Sequence, residues 1–125
     1  MSGERILVVD DNGANLKLVA FVLGAAGFEV RTAKSADEAR AAIAEWSPLL
    51  VLMDVQLPGT DGLTLTRELK ADPRTRKLLI VAFTAYAMRG DEQKALEAGC
   101  DGYLTKPIDT RTFGGRVAAF LAEHE

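Results

Sequence analysis

The sequence predicts an α/β fold in which a parallel sheet is wound on both faces by helices. Short apolar runs recur at regular intervals, segments of helical period separate them, and most of the runs are apolar without alternation. Strands of that last kind are covered on both faces, as in a parallel sheet. Strand–helix units in series then imply a doubly wound sandwich with right-handed crossovers.

The first strand is Arg5 to Asp10 (RILVVD), and the first helix runs from Asn12 to about Ala26. On that helix Leu16, Val19, Ala20 and Leu23 form one apolar stripe, and Leu18, Phe21, Val22 and Ala25 form a second beside it. One face laid on a sheet rarely covers both. The pair is therefore either a broad buried arc or a buried stripe with an apolar docking strip next to it. Phe28 to Ala33 (FEVRTA) alternates, which suits an edge strand. Ser35-Ala-Asp-Glu38 is a capping box for a helix reaching Trp46, where Ser47-Pro48 stops it. Leu49 to Asp54 (LLVLMD) and Leu78 to Phe83 (LLIVAF) are the next apolar strands, and Pro58, Gly59 and Asp61-Gly62 turn the chain between them. Met88 to Ala98 reads as a helix ended by Gly99, followed by the strand Gly102 to Thr105. The last helix starts near Asp109-Thr110 and sets Phe113, Val117, Phe120 and Leu121 on its inner face. Gly114 and Gly115 cost that helix about 1 kcal/mol each relative to Ala, and either allow close packing or soften it.

The 125 residues suit a single domain, 1–125, with 48% apolar and 26% charged residues. A formal net charge of −3 gives no electrostatic footprint for nucleic acid or an anionic membrane. No apolar run reaches the roughly 18 residues of a membrane span. The N-terminus turns acidic too early for a signal peptide, and the lone Cys100 cannot form an internal disulfide. A reducing cytoplasm is the expected location. Cys100 reads as a small buried hydrophobe, and His124 as a solvated tail residue.

In open α/β sheets the functional crevice lies beyond the carboxyl ends of the strands. Residues at or just past four of these ends are Asp10-Asp11, Asp54, Thr84 and Lys106, whereas the alternating strand ends on Ala33. Three carboxylates, a hydroxyl and an ammonium at one edge repel strongly unless a cation sits among them. Oxygen donors without His or Cys select a hard ion, Mg²⁺ or Mn²⁺. Neither a G-x-x-x-x-G-K-[ST] loop nor a G-x-G-x-x-G turn follows the first strand. The chemistry left is transfer of a phosphoryl group to a carboxylate, with Lys106 and Thr84 holding its oxygens. Either Asp10 or Asp11 could also cap the helix beginning near Asn12.

The chain resembles the receiver domain of two-component response regulators over essentially its whole length. The resemblance is carried by Val8-Val9-Asp10-Asp11-Asn12, Met53-Asp54-Val55-Gln56-Leu57-Pro58-Gly59-Thr60-Asp61-Gly62, Phe83-Thr84-Ala85 and Lys106-Pro107, in order and at the strand ends. It implies the flavodoxin-like strand order 2-1-3-4-5 with five flanking helices. It implies that Asp54 is the phosphoacceptor, supplied by a histidine kinase or a histidine phosphotransfer protein. Asp10, Asp11, Asp54 and the main-chain carbonyl of Gln56 would hold Mg²⁺. Thr84 and Lys106 would close on the phosphoryl oxygens, with Tyr103 as the aromatic that follows Thr84. The Lys106-Pro107 bond would be cis, and Gln56 and Tyr86 would tune phosphoryl lifetime, Tyr86 towards slow self-hydrolysis. A downstream protein effector would read the fourth helix, fifth strand and fifth helix. The chain would then be a signalling switch and not an enzyme with an external substrate. Met1-Ser2-Gly3 and the short tail favour a stand-alone regulator over a receiver cut from a hybrid kinase.

Two other classes share parts of this pattern. A haloacid-dehalogenase-like phosphatase also uses a strand-end Asp and Mg²⁺, but wants a second Asp where Gln56 stands. A flavin-binding protein would need a Ser/Thr-rich phosphate loop where Asp10-Asp11 would repel phosphate.

Overall fold

Alternate residues of the first strand serve opposite layers, and this explains its unbroken apolar run. In the computed structural model, which describes residues 3–55, 57, 61–84, 90–106 and 109–123, β1 spans Arg5–Val9. Its Ile6 and Val8 enter one core and its Leu7 and Val9 the other. The remaining strands are β2 (Glu29–Ala33), β3 (Leu50–Met53), β4 (Leu79–Thr84) and β5 (Gly102–Thr105), alternating with α1 (Gly13–Ala25), α2 (Ala36–Trp46), α3 (Gly62–Ala71), α4 (Asp91–Ala98) and α5 (Phe113–Glu123). All the pairings are parallel, and the sheet order is β2-β1-β3-β4-β5. This is the doubly wound order expected above, with the alternating strand at one edge.

The two layers divide the helices. Leu16, Val19 and Leu23 of α1 and Phe113, Val117 and Leu121 of α5 pack on one face of the sheet. Ala39 and Ile43 of α2, Leu65 and Leu69 of α3 and Ala95 of α4 pack on the other. On α1 the first stripe is buried, apart from half-buried Ala20, but the second is not: Phe21 is 75% exposed and Leu18 45%. The broad buried arc is therefore excluded, and an apolar strip of α1 remains in solvent.

Local signals explain where the helices start. Asn12, and neither aspartate before it, caps α1 by accepting from the amides of Ala14 and Asn15. Ser35 caps α2 through the Glu38 amide, while Glu38 reaches back to the Lys34 amide, one residue earlier than a capping box requires. Asp61-Gly62 is more than a turn: Asp61 caps α3 through the Thr64 amide, and Gly62 is its first residue. A Cβ on Gly62 would lie 2.0 Å from the carbonyl oxygen of Asp54, so only glycine lets α3 begin so close to the end of β3. On α5 the two glycines separate. A Cβ on Gly114 would come 2.9 Å from Cβ of Ala26, so this glycine permits close packing on the end of α1, whereas Gly115 faces open space. Phe120 is half-buried and not fully interior, and its ring fills the place a side chain at Gly102 would take.

At the far end of the sheet the guanidinium groups of Arg5 and Arg31 each lie 5.6 Å from the ring centroid of Trp46. Arg5 also donates to the Trp46 carbonyl at 2.6 Å, fastening the end of α2 to the first strand.

Candidate functional site

Backbone pairing brings the acids together. The amide of Asp54 donates to the carbonyl of Val9 at 2.9 Å, and that of Asp10 to the carbonyl of Ala33 at 3.0 Å. Three neighbouring strand ends are thereby held level. Asp10 and Asp54 are buried, at 1% and 6% exposure, while Asp11 next to them is open to solvent. One carboxylate oxygen from each of Asp10, Asp11 and Asp54 lies within 4.8 Å of the others.

Lys106 enters from the end of β5, its amide bonded to the Thr84 carbonyl at 2.9 Å. Its ammonium donates to Asp54 Oδ2 at 3.2 Å and makes a short contact to Asp10 Oδ2. The same ammonium sits 5.2 Å from the ring centroid of Phe83, whose aromatic face favours a cation. Burial pushes the Asp10 carboxyl up. The Lys106 hydrogen bond, the Asn12 amide and the Lys106 charge outweigh that and hold it below its usual value. One lysine cannot neutralise three carboxylates, and the donors are all oxygen. Such a set fits a hard divalent ion. Mg²⁺ chemistry is thus compatible with these residues.

Thr84 closes β4 at the same edge and is buried at 2% exposure. Tyr103 pairs with Ala82 across β4 and β5, two residues back from Thr84, and is half-buried against the core that α4 covers. Thr84 and Tyr103 therefore stand on the same face of the sheet, one behind the other. The expectations for Gln56, Tyr86, the Lys106-Pro107 bond and His124 lie outside the described residues.

One residue at this edge escapes the strand-end reading. Lys34 directly follows Ala33, and its ammonium lies 3.9 Å from where a Cβ on Gly13 would stand, over the start of α1. Its signal is a basic residue one place past a strand end that is itself apolar.

Residues 6–118 match the family model of the response regulator receiver domain. The chain belongs to this family. Its receiver domain is 37% identical over 120 residues to the polar-differentiation response regulator DivK of Brucella ovis, covering 96% of this chain and 98% of that one. Among solved structures it resembles a CheY-like response regulator receiver domain protein from Methanospirillum hungatei, with a TM-score of 0.88 and 31% identity over 98% of this chain and 97% of the other. The BeF3-activated receiver domain of DrrB superposes with a TM-score of 0.84 at 29% identity, covering 96% of this chain and 98% of that one. Receiver domains work in two-component signalling, where they meet histidine kinases or phosphotransfer proteins and effectors. They bind Mg²⁺ at an acidic pocket and act as signalling switches. The phosphatase and flavin readings give way to this membership. No helix among the described residues is long and apolar enough to cross a membrane.

Proposed function

We propose that this receiver domain accepts a phosphoryl group on Asp54 from the phosphohistidine of a kinase or phosphotransfer protein. The observation that carries the reading is the sharing of one partly buried ammonium, Lys106, between Asp54 and Asp10 at level strand ends. An ammonium so placed can follow charge from the Asp54 carboxylate to the oxygens of a group attached there. Mg²⁺ held by Asp10, Asp11, Asp54 and the Gln56 carbonyl would neutralise the remaining negative charge during transfer. Asp54 then forms the bond to phosphorus as the bond to the donor nitrogen breaks. Thr84 moves towards the new oxygens, and Tyr103 turns into the space behind it. That biases α4, β5 and α5 between two states, and a few kcal/mol of differential contact shifts effector binding usefully. Slow hydrolysis guarded by Tyr86 belongs to the same reading, as does a cytoplasmic setting.

The exposed strip of α1, centred on Phe21 and Leu18, suits the apolar face of a donor's helical bundle. The test combines purified chain, Mg²⁺ and acetyl phosphate, beside Asp54→Asn. Labelling is expected only where Asp54 is intact, and equal labelling of both proteins removes it as acceptor. Phe21→Glu is expected to slow transfer from a phosphohistidine protein and leave labelling by acetyl phosphate unchanged. Equal slowing of both would sink the docking role.

A further inference from the structure

Lys34 is tied by its neighbours to the rim of the acidic site. Ala33, the residue before it, receives the Asp10 amide, so the lysine leaves the sheet directly beside the buried acid. Its own amide donates to Glu38 Oε1 at 3.3 Å, which fixes its backbone at the start of α2. From there the side chain runs over α1, its ammonium 3.9 Å from the place of a Cβ on Gly13. Gly13 is two residues from Asp11, so the ammonium is within roughly 13 Å of the Asp11 α-carbon, well inside the Debye length of about 30 Å at roughly 10 mM salt. Lys34 is exposed, and no hydrogen bond or ion pair holds its ammonium among the described residues. Lys106, in contrast, is almost fully committed to Asp10 and Asp54.

A phosphodonor must approach past exposed Asp11 towards a site rich in carboxylates. A free cation on the rim lowers the repulsion felt by a dianion more than that felt by a monoanion, and raises that felt by a divalent cation. We propose that Lys34 sets the donor preference of the site: it favours small dianionic acyl phosphates over less charged donors, at some cost in Mg²⁺ affinity. This rests on Asp54 being the acceptor. In the reaction with acetyl phosphate, an Asp54 carboxylate oxygen bonds to phosphorus while the phosphorus–acetyl oxygen bond breaks, and acetate leaves with that electron pair. Lys34 takes no part in bond making. It acts on approach, so the second-order rate changes and the rate at saturating donor does not.

A dianion about 10 Å from one charge gains about two- to threefold in encounter at an ionic strength of about 10 mM. The test compares labelling by acetyl phosphate with labelling by phosphoramidate, whose protonated nitrogen leaves it one charge less negative. Lys34→Gln is expected to slow acetyl phosphate by about two- to threefold at low salt and phosphoramidate by less. Lys34→Glu should slow it by about the square of that factor, Lys34→Arg should restore the wild-type rate, and all differences should vanish by about 0.5 M salt. Calorimetry should show Lys34→Gln binding Mg²⁺ about twofold more tightly. Lys77→Gln, which removes the same charge between α3 and β4 at the other end of the sheet, is the control. Wild-type rates for Lys34→Gln at low salt, or equal slowing by Lys77→Gln, overturn the role of Lys34. Asp54→Asn labelling as well as the wild type would instead overturn the acceptor reading, and the proposal with it.

Discussion

Removing the Lys106 ammonium takes away the cation that Asp10 and Asp54 share and leaves the two carboxylates buried side by side. Lys106→Met is therefore expected to lower stability at neutral pH by about 2–4 kcal/mol in metal-free buffer, read from urea unfolding. The pH dependence follows from Asp10. In the wild type its carboxyl is held below the usual value, so its contribution is present above the unfolded pKa and lost as pH falls. In the variant both Lys106 contributions are gone and the Asn12 amide remains against burial, so the carboxyl rises from its wild-type position and the folded protein loses less as pH falls. The stability gap between the two proteins should shrink as pH falls through the carboxylate range. A gap independent of pH would mean that Lys106 acts through packing. Cys100 provides a second residue-level test. Burial pushes its thiol up, and it sits 3.9 Å from the buried Thr66 hydroxyl. It should resist a thiol-reactive dye at neutral pH until denaturant is added. At this scale the sequence reveals which residues gather but not their burial. Asp10 and Asp11 are adjacent and chemically alike, and only the Ala33 carbonyl and the Asn12 amide decide that Asp10 turns inward.

Glycines in two helices carry opposite expectations. Gly62→Ala would drive a methyl group into the backbone of Asp54 and should lower stability by about 3 kcal/mol, with loss of Asp54 labelling. Gly115→Ala enters open space within α5 and should raise stability by about 1 kcal/mol. A thermal-melt comparison reads both, and a stabilised Gly62→Ala would disprove the close approach. These elements also show what a single sequence can reveal. The strands are legible because their apolar runs answer to two cores at once, and α2 because Ser35 stands three residues before Glu38. The opening of α3 is harder to read, since Asp61-Gly62 carries the same signature whether it turns a chain or caps a helix. The split face of α1 is legible as a question only. Its answer depends on the packed core, which takes in Leu16 and Val19 but leaves Phe21 outside.

For the whole molecule, a divalent ion bound only by the folded site would stabilise the entire sheet, because the acids come from separate strand ends. At a Mg²⁺ concentration about a hundred times its dissociation constant, unfolding should become harder by about 2.7 kcal/mol. Asp10→Asn should remove most of that gain, and an equal gain in both proteins would place the ion elsewhere. The parallel order makes this coupling direct, because Asp10, Asp54, Thr84 and Lys106 all stand at the same rim. The lone tryptophan belongs to the opposite rim, clasped by Arg5 and Arg31. The molecule thus carries a lamp at its foot, a sheet's length from the chemistry. Its glow should dim when the chain unravels and stay steady while phosphoryl groups come and go. Any flicker on phosphorylation would mean that the signal had travelled the full length of the strands.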